Sequence, residues 1–387
     1  MLKIDNELEK LKPSILNHLK TIVDINSNSE NVNGNNEILI FIKNELINMG
    51  FYVEIINQHS VGATLVARNY SELHDEEQAI LLLGHSDTVF PDDDTDSWAF
   101  TTAFGKCYGP GVLDMKGGLS QIIFALKILK ATNNTYKPVK IIIASDEENG
   151  HLHSDFTNIL KQYSTDVKCT LCCESGRPDG AFVIGRKGVG RMDILSEGIE
   201  AHAGYELDNG VNAILNLTSL IEHIQRNKVH LSKEKQHFNL GKLNGGTEVN
   251  VVPGHAKAEF DVRFFTEQDF TSLVNWVKKN IEQCTADKPD ANFSMNSVIE
   301  YPAMEVNEKN MALFHNVATI MEGAGMEQPR YVFVSGGADS SYISSFQIPV
   351  ICAFGPAGNF NHTKREFIYV DSLFERIKLL ALCITQL

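Results

Sequence analysis

The chain has 387 residues, more than a single domain usually holds, so we expect two domains. Its composition, 43% hydrophobic and 21% charged, is typical of a globular protein, and its net charge of -15 argues against nucleic acid or an anionic membrane as a partner. We see no signal-peptide pattern after Met1, and no apolar run reaches the roughly 18 residues that a membrane span needs. Seven scattered cysteines indicate reduced core residues and therefore a cytoplasmic protein.

Helical and strand patterns alternate through the first part of the chain. Apolar residues at helical spacing predict helices over 5–25 and 36–49, with Gly50 as the C-cap of the second. The elements predicted next are strands at 52–56, 64–67 and 80–83, a helix over 116–130, a strand at 139–144, a helix over 154–162 and a strand at 168–173. This alternation predicts an α/β fold with a mixed, mostly parallel sheet sandwiched by helices.

The pattern changes near residue 187. The predicted elements are a strand at 190–195, a helix over 211–227, strands at 238–243 and 256–263, a helix over 267–282 and a strand at 291–298. This β-α-β-β-α-β order is that of the ferredoxin-like unit, so we expect an inserted domain at 187–299. The earlier alternation then returns with a helix over 308–322, strands at 331–334 and 350–354 and a helix over 370–386. The main domain would therefore comprise residues 1–186 and 300–387.

Acidic residues and histidines recur where strands of the main domain end. They are His85, Asp87, Asp114, the pair Glu147 and Glu148, Glu174 and, after the late strand, His362. Ligands of open α/β sheets bind at the carboxyl ends of the strands, where these side chains would meet. Nitrogen and oxygen donors of this kind suit two divalent ions held close together, which can activate water to hydrolyse an amide. The sequence therefore predicts a two-metal hydrolytic site.

Neighbouring acids in this set are expected to have different roles. Adjacent side chains cannot face the same direction, so one of Glu147 and Glu148 can bind metal while the other acts as general base. Asp87 can accept the second N–H of His85 and fix its tautomer. Taken singly, these residues also fit a surface pair or the first turn of a helix, where acids are favourable. It is their combination and order that favour a metal site.

Two other segments are interpreted without a catalytic role. The glycine-rich stretch 109–118 lacks the Gly-Lys-Ser/Thr ending of a phosphate-binding loop, which argues against a nucleotide-binding oxidoreductase. The acidic run 92–94 with Asp96 is interpreted as a solvated loop.

The chain resembles the co-catalytic zinc peptidases, the family that includes glutamate carboxypeptidase (carboxypeptidase G), aminoacylase, succinyl-diaminopimelate desuccinylase and acetylornithine deacetylase. The motifs that carry this resemblance are Gly84-His85-Ser86-Asp87-Thr88-Val89, Gly109-Pro110-Gly111-Val112-Leu113-Asp114-Met115-Lys116-Gly117-Gly118, Ser145-Asp146-Glu147-Glu148-Asn149-Gly150, Glu200-Ala201-His202-Ala203-Gly204, Asn250-Val251-Val252-Pro253, Asp261-Val262-Arg263, Ser335-Gly336-Gly337-Ala338-Asp339 and Asn361-His362. They span almost the whole chain, and the resemblance to glutamate carboxypeptidase is the strongest.

The resemblance implies two zinc ions per subunit and a role for each ligand; cobalt or manganese would also suit these donors. Asp114 would bridge the two ions, with His85 and Glu174 completing one site and Glu148 and His362 the other. A further implication is a cis peptide bond between Asp114 and Met115.

The remaining roles concern the reaction and the substrate. Glu147 would be the general base, Asp87 the group that orients His85, and His202 a donor to the oxyanion, often in the partner subunit's site. Substrate would be bound by Asn250, by Arg263 through a free carboxylate, and by the backbone of Gly336 and Gly337. An alternative for Arg263 is an ion pair on the surface of its strand. The inserted domain would act as a lid and join two subunits in a homodimer.

The resemblance favours a substrate class without naming the substrate. A glutamate at position 174 goes with carboxypeptidases and deacylases, which predicts the release of a C-terminal amino acid from a small peptide or N-acyl amino acid. An N-acetyl or N-succinyl amino acid deacylase is the alternative, and a non-catalytic metal-dependent binding protein is a weaker one. Where glutamate carboxypeptidases are arginine-rich after the lid, residues 299–303 include Tyr301, which leaves the side-chain preference open. His151 and His153 lie where the family usually has small residues; they are interpreted as loop histidines, with residues that line the pocket as the alternative.

Overall fold

The structure, a computed structural model, describes residues 1–73, 78–91, 98–134, 137–227, 237–288 and 290–387. The acidic run 92–94 and Asp96, predicted to be a solvated loop, lie outside the described residues. Contacts within the chain divide it into two compact units. The first unit comprises Met1–Gly185, Val306–Phe333 and Ala338–Leu387, and the second comprises Arg186–Glu305 and Val334–Gly337.

Helices and strands alternate through both units. The helices are α1 (Leu2–Val23), α2 (Val32–Met49), α3 (Gly117–Ala131), α4 (Phe156–Tyr163), α5 (Ala213–Asn227), α6 (Glu267–Asp287), α7 (Glu308–Gly323), α8 (Ser340–Ser345) and α9 (Val370–Gln386). The strands are β1 (Tyr52–Ile56), β2 (Thr64–Arg68), β3 (Ala79–His85), β4 (Thr101–Ala103), β5 (Lys106–Tyr108), β6 (Val139–Ala144), β7 (Val167–Cys172), β8 (Phe182–Arg186), β9 (Gly188–Glu197), β10 (His237–Gly245), β11 (His255–Phe264), β12 (Asn292–Tyr301), β13 (Tyr331–Val334), β14 (Val350–Ile351), β15 (Gly358–Asn359) and β16 (Phe367–Tyr369).

The main sheet of the first unit has the strand order β1-β2-β6-β3-β7-β14. The pairs from β6 to β14 are parallel, whereas β1 and β2 run antiparallel to their neighbours. The predicted α/β class with a mixed, mostly parallel sheet is therefore confirmed. Strands β3 and β6 are buried on both faces, which explains why their sequences are continuous apolar runs rather than alternating ones.

Helix α3 packs tightly against the carboxyl end of β7. Nearly all of its residues are buried, including Phe124 and Leu126. A Cβ atom on Gly118 would come within 1.9 Å of the carbonyl oxygen of Cys173, so only glycine allows this approach. Gly118 therefore serves the packing of α3 against the segment that follows β7.

A small four-stranded sheet, ordered β15-β16-β5-β4, joins distant parts of the first unit. Strand β16 pairs with both β15 and β5, with Phe367 opposite Tyr108. Its strands have only two or three residues each, too few for a periodic pattern, and the sequence analysis did not predict them. The pairing brings the segment after β15 close to the segment after β5.

The second unit is an antiparallel sheet ordered β10-β11-β9-β12, with α5 and α6 packed on it. The chain order β-α-β-β-α-β and this strand order are those of a ferredoxin-like unit. Apolar side chains such as Phe260 and Val262 alternate along β11 and face the helices. Helix α6 begins with a capping box between Thr266 and Asp269.

Several predicted boundaries agree with the structure. Strands β1, β6 and β13 and helix α9 have the predicted bounds, and Gly50 ends α2 in the left-handed conformation, with φ of 94°. One predicted strand, 350–354, is shorter, because the strand pairing of β14 ends at Ile351. Strand β8 and helix α8 were not predicted. All seven cysteines are free and buried, as expected for core residues. Among the described residues, no helix combines the length and the apolar character required to cross a membrane.

Candidate metal centre and active site

Seven of the predicted site residues meet in the first unit. His85 ends β3, Glu147 and Glu148 follow β6, and Glu174 follows β7. These strands are parallel neighbours in the order β6-β3-β7, with His85 opposite Ala144, so their carboxyl ends lie at one edge of the sheet. The other members of the group are Asp87, Asp114 and His362.

Asp114 and His362 reach this edge through irregular segments. Asp114 lies in the segment Val112–Lys116, between β5 and α3, where its own backbone is not helical (φ of -117°, ψ of 92°), and its peptide bond to Met115 is cis, as predicted. His362 follows β15 in a left-handed conformation, with φ of 60°. The small sheet places these two segments side by side, because β16 bonds to both β5 and β15.

The side chains form two groups that share Asp114. In the first group, Nε2 of His85 lies 3.4 Å from Asp114 Oδ1 and 3.4 Å from Glu174 Oε1. In the second, Nε2 of His362 lies 3.2 Å from Asp114 Oδ2 and 3.3 Å from Glu148 Oε2. Asp114 therefore presents one carboxylate oxygen to each group.

These spacings fit divalent ions. Donors about 2.0–2.2 Å from a tetrahedral zinc ion are separated from one another by about 3.3–3.6 Å, and the observed separations of 3.2, 3.3, 3.4 and 3.4 Å lie near the lower end of that range. The donor set of imidazole and carboxylate also suits zinc, manganese or cobalt. In addition, Oε1 of Glu148 is buried and has no hydrogen-bond partner among the described residues. The residues present therefore fit a pair of metal ions bridged by one carboxylate.

Asp87 connects the first group to the turn that carries the two glutamates. Its carboxylate is fully buried and lies 3.3 Å from Nδ1 of His85, whose ring nitrogen is also 3.1 Å from the Asp87 carbonyl. The same carboxylate accepts hydrogen bonds from the backbone N–H groups of Glu147 (3.2 Å) and Glu148 (3.0 Å) and from the hydroxyl of Ser29 (2.8 Å). Ser29 was not predicted. Asp87 is thus placed to orient His85 and to hold the glutamate turn.

Charge is concentrated at this edge of the sheet. Burial raises the pKa of Glu147 well above its ordinary value, and the charges of Glu174 and Asp339 raise it further, against the opposing effect of His85. Burial likewise raises the pKa of Glu174 to about 7. Carboxylates with raised pKa values in a cleft of this kind are typical of catalytic sites.

The carboxylates around the two histidines raise the pKa of both imidazoles. Hydrogen bonds to Asp114 and Glu148 raise the pKa of His362 to about 10, although burial opposes the shift. Burial lowers the pKa of His85, but the charge of Glu174 and a hydrogen bond to Asp114 outweigh that effect and raise the pKa well above its ordinary value.

We expect metal binding to release protons from these histidines, because imidazole must be neutral to bind a metal ion. With a pKa of about 10, His362 still carries a proton at about pH 6 to 8, so apparent affinity should increase with pH, about tenfold per pH unit for each proton displaced. Titration calorimetry of chelated protein with zinc, in two buffers of different ionisation enthalpy, measures the protons released. An affinity that is independent of pH would contradict this expectation.

Two further residues support Asp114 and were not predicted. The side-chain amide of Asn361 donates to Asp114 Oδ2 (3.0 Å) and to the hydroxyl of Ser175 (2.9 Å). Oε1 of Glu366, which is fully buried, accepts from the backbone N–H groups of Leu113 (2.7 Å) and Asp114 (3.0 Å). Burial raises the pKa of Glu366 to about 8. The sequence offered only a weak indication of the role of Glu366, which is an acid four residues after His362 and directly follows two basic residues.

The other five predicted residues lie in the second unit. His202 and Asn250 are exposed there on adjacent segments, since Ala203 donates its N–H to the Asn250 carbonyl at 3.0 Å and His202 forms a β-bridge with Val251. Nδ1 of His202 accepts a hydrogen bond from the backbone of Gly204 at 3.1 Å. Its Nε2 therefore remains the donor that could face a substrate.

Arg263 and the two glycines are also in the second unit, and the three hydrogen bonds of Arg263 stay within that unit. Its Nη1 donates to the carbonyl of Ser335 at 3.4 Å. Nε and Nη2 of Arg263 donate to the two carboxylate oxygens of Asp261, at 3.1 and 2.9 Å, which is the strand-surface ion pair considered as its alternative role. A second arginine, Arg186, donates from Nη1 to the carbonyls of Gly336 (2.9 Å) and Gly337 (3.3 Å). Arg186 was not predicted, and nothing in its local sequence marks it.

Tyr301 packs beside the same glycines. A Cβ atom on Gly337 would come within 2.8 Å of the Tyr301 ring, so the ring lies directly against this backbone. Its neighbour Glu300 is paired with Arg191 of β9 at 3.0 Å. In residues 299–303, therefore, the acidic side chain is engaged by the neighbouring strand, and the tyrosine is the group beside the glycines.

Together, the α/β sheet and the histidine–carboxylate groups at its edge define a metal-dependent hydrolase. The chain belongs to the family described as Peptidase family M20/M25/M40, which matches residues 81–386. The chain is 24% identical over 380 residues to carboxypeptidase G2 of Pseudomonas sp. (strain RS-16), covering 97% of this chain and 90% of the relative. It is 22% identical over 356 residues to succinyl-diaminopimelate desuccinylase of Pelagibacter ubique (strain HTCC1062), covering 88% and 91%. The crystal structure of aminopeptidase PepT from Bacillus cereus ATCC 10987 superposes with a TM-score of 0.80 at 20% identity, covering 96% and 98%.

These findings establish a hydrolase of the predicted family. The family resemblance identified from the sequence motifs is confirmed. Because the solved structure shares only 20% identity, it supports the fold alone.

Proposed function

We propose that this hydrolase cleaves the amide bond of a small peptide or N-acyl amino acid and releases a C-terminal amino acid with a free carboxylate. The observation that carries this proposal is the pair of histidine–carboxylate groups sharing Asp114, with Glu147 beside them. The similarity to carboxypeptidase G2 over 97% of the chain supports the substrate class. Similarity to a desuccinylase supports a second candidate, an N-acetyl or N-succinyl amino acid deacylase.

In the proposed mechanism, His85, Asp114 and Glu174 would hold one ion, and Asp114, Glu148 and His362 would hold the other. Bound divalent ions, zinc in our proposal, would polarise the scissile carbonyl and acidify water. Asp87 fixes the ring of His85 and the backbone of Glu147, so that the glutamate carboxylate stays beside the reacting atoms.

Glu147 moves the proton in this mechanism. Its carboxylate is 8% exposed and one oxygen lies 4.0 Å from His85 Nε2, so it faces the centre of the site. We propose that this carboxylate takes a proton from the attacking water and gives it to the departing nitrogen. His202, as an oxyanion donor, and Asn250 would bind the substrate carbonyl.

The substrate carboxylate would be bound by Arg263 and by the backbone of Gly336 and Gly337. Arg263 would have to share its guanidinium with Asp261. The backbone of the two glycines, whose carbonyls are held by Arg186, would bind the substrate carboxylate without that competition. Because Tyr301 packs on Gly337, we propose that it contributes to the selection of the released side chain.

We also propose that the second unit acts as a lid and joins two subunits. Large apolar side chains are exposed there, among them Tyr205 (88%) and Val249 (102%), close in sequence or space to His202 and Asn250. Light scattering of the purified chain measures its oligomeric state, and we expect the mass of a dimer. Seven free, buried cysteines support the proposal of a reducing compartment such as the cytoplasm.

A substrate panel tests the reaction. Dipeptides, N-acylglutamates, and N-acetyl and N-succinyl amino acids should be assayed with chelated and zinc-restored protein, and each substrate should be paired with its C-terminal carboxamide. We expect metal-dependent hydrolysis, with the carboxamides about 100-fold slower because they lose a charge-assisted bond. Fastest hydrolysis of dipeptides or N-acylglutamates would indicate a carboxypeptidase, and fastest hydrolysis of N-acetyl or N-succinyl amino acids would indicate a deacylase. Absence of hydrolysis across the panel, despite bound metal, would overturn the proposed function.

A further inference from the structure

A buried histidine–carboxylate pair lies outside the set of metal ligands. Nε2 of His151 is 2.5 Å from Oδ1 of Asp339, and the two side chains are only 1% and 2% exposed. His151 lies in the turn between β6 and α4, in keeping with its interpretation as a loop histidine, and its side chain is buried. A short hydrogen bond between buried partners is costly to break, because it leaves a desolvated group without a partner.

Each member of the pair depends on the other. Nδ1 of His151 and Oδ2 of Asp339 have no hydrogen-bond partner among the described residues, so the bond between them is the side-chain polar interaction that they share. The imidazole is stacked on Phe156 at 4.3 Å, at the start of α4, and tilted against Tyr342 of α8 at 5.9 Å. Aromatic packing therefore fixes the ring plane, and the carboxylate fixes the direction of Nε2.

The backbone of His151 closes the turn that carries the two glutamates. Its N–H donates to the carbonyl of Asp146 at 2.9 Å, and Gly150 donates to the carbonyl of Glu147 at 2.8 Å. His151 itself adopts the left-handed conformation, with φ of 56°. Asp87 holds the N–H groups of Glu147 and Glu148 at the beginning of this turn. The turn is therefore fixed at its beginning by Asp87 and at its end by His151.

We propose that His151 is a positioning residue, which, by holding Asp339, fixes the turn that presents Glu147 and Glu148 to the reacting centre. This inference rests on the proposed function for the role of Glu147 and deepens it. A purely structural role, in which the pair only joins α8 to the loop before α4, is the alternative.

The test compares substitutions that keep or remove the hydrogen bond between residue 151 and Asp339. In His151→Gln the side-chain amide occupies the position of Nε2 and can still donate to Asp339, whereas in His151→Asn the amide is one atom too short. We expect His151→Asn and His151→Ala to lower kcat by about 100-fold with KM changed less than about threefold, as for small misplacements of a catalytic group. His151→Gln should stay within about fivefold of wild type. His153→Ala, an exposed neighbour in the same loop, is the matched control and should be unchanged.

A second substitution isolates the pair. Adding Asp339→Asn to His151→Ala removes the stranded carboxylate, so the double variant should recover about tenfold of the lost kcat. If His151→Ala does not fold, the comparison of His151→Gln with His151→Asn still distinguishes a positioning role from a purely structural one. Equal kcat for these two, with only the thermal unfolding temperature lowered, would leave a structural role and overturn the inference.

The inference has a readout that does not require turnover. Because Glu148 lies on the same turn, His151→Asn should weaken zinc binding about tenfold in a chelator competition, whereas His151→Gln should not. Wild-type protein that binds zinc but hydrolyses nothing would overturn the proposed function, and the zinc competition would then test the positioning role. An active wild type whose asparagine variant matches it in both kcat and zinc affinity would overturn the inference alone.

Discussion

Glu147→Gln is expected to lower kcat by about 10³-fold while the protein keeps its metal. Glutamine preserves the shape of the buried side chain, but its amide oxygen cannot take a proton from water and return it to the leaving nitrogen. The N–H of residue 147 would still donate to Asp87, since that hydrogen bond comes from the backbone. Substrate binding should therefore change little, and the loss should be confined to kcat.

Rate and metal content are measured together for this variant, by steady-state kinetics and elemental analysis. Asp155→Asn is the matched control, because Asp155 is an exposed acid a few residues further along the same loop and lies apart from the ligands. It should retain wild-type kcat. A Glu147→Gln protein with full metal and full activity would exclude Glu147 as the general base.

Asp114→Asn should have the largest effect on metal binding. Asp114 offers Oδ1 to the group of His85 and Oδ2 to the group of His362, so an amide removes a charge from both groups and an oxygen from one. It would also place an N–H donor where Asn361 now donates to Oδ2, unless the amide turns over. We expect the metal content to fall from about two ions per chain to below about 0.5, with activity below about 0.1% of wild type.

Glu174→Gln distinguishes a bridging ligand from an ordinary one. Glu174 belongs to only one of the two groups, so this variant should lose about one ion and keep the other. Elemental analysis after exhaustive dialysis, followed by zinc titration, measures both. If Asp114→Asn retained two ions, or lost only as much metal as Glu174→Gln, Asp114 would not be the bridge.

Regular elements with strong patterns were predictable from the sequence. Strand β6 and helix α9 have the predicted bounds, because the continuous apolar run of β6 and the helical periodicity of α9 both reflect burial. The small sheet was not predictable, since β15 has two residues and β16 three, and their pairing with β5 depends on residues far away in the chain. Local pattern carries no information about such pairings.

The same division applies to the candidate site. His85, Glu148 and Glu174 follow apolar strands, and parallel strands bring their carboxyl ends to one edge, so their proximity could be inferred from the sequence. His362 was included with these donors because it follows the late predicted strand, and its grouping with Glu148 came from the resemblance to a family motif. The structure accounts for its position through β15 and β16.

What the sequence by itself determined is the kind of donor at each strand end and the class of fold, because both follow from local pattern and the geometry of parallel sheets. Only the tertiary structure decided which groups support those donors. Glu366 meets the backbone of Leu113 across 253 residues, and Asp339 meets His151 across 188. Contacts of this range depend on how the whole chain packs, and no local pattern records them.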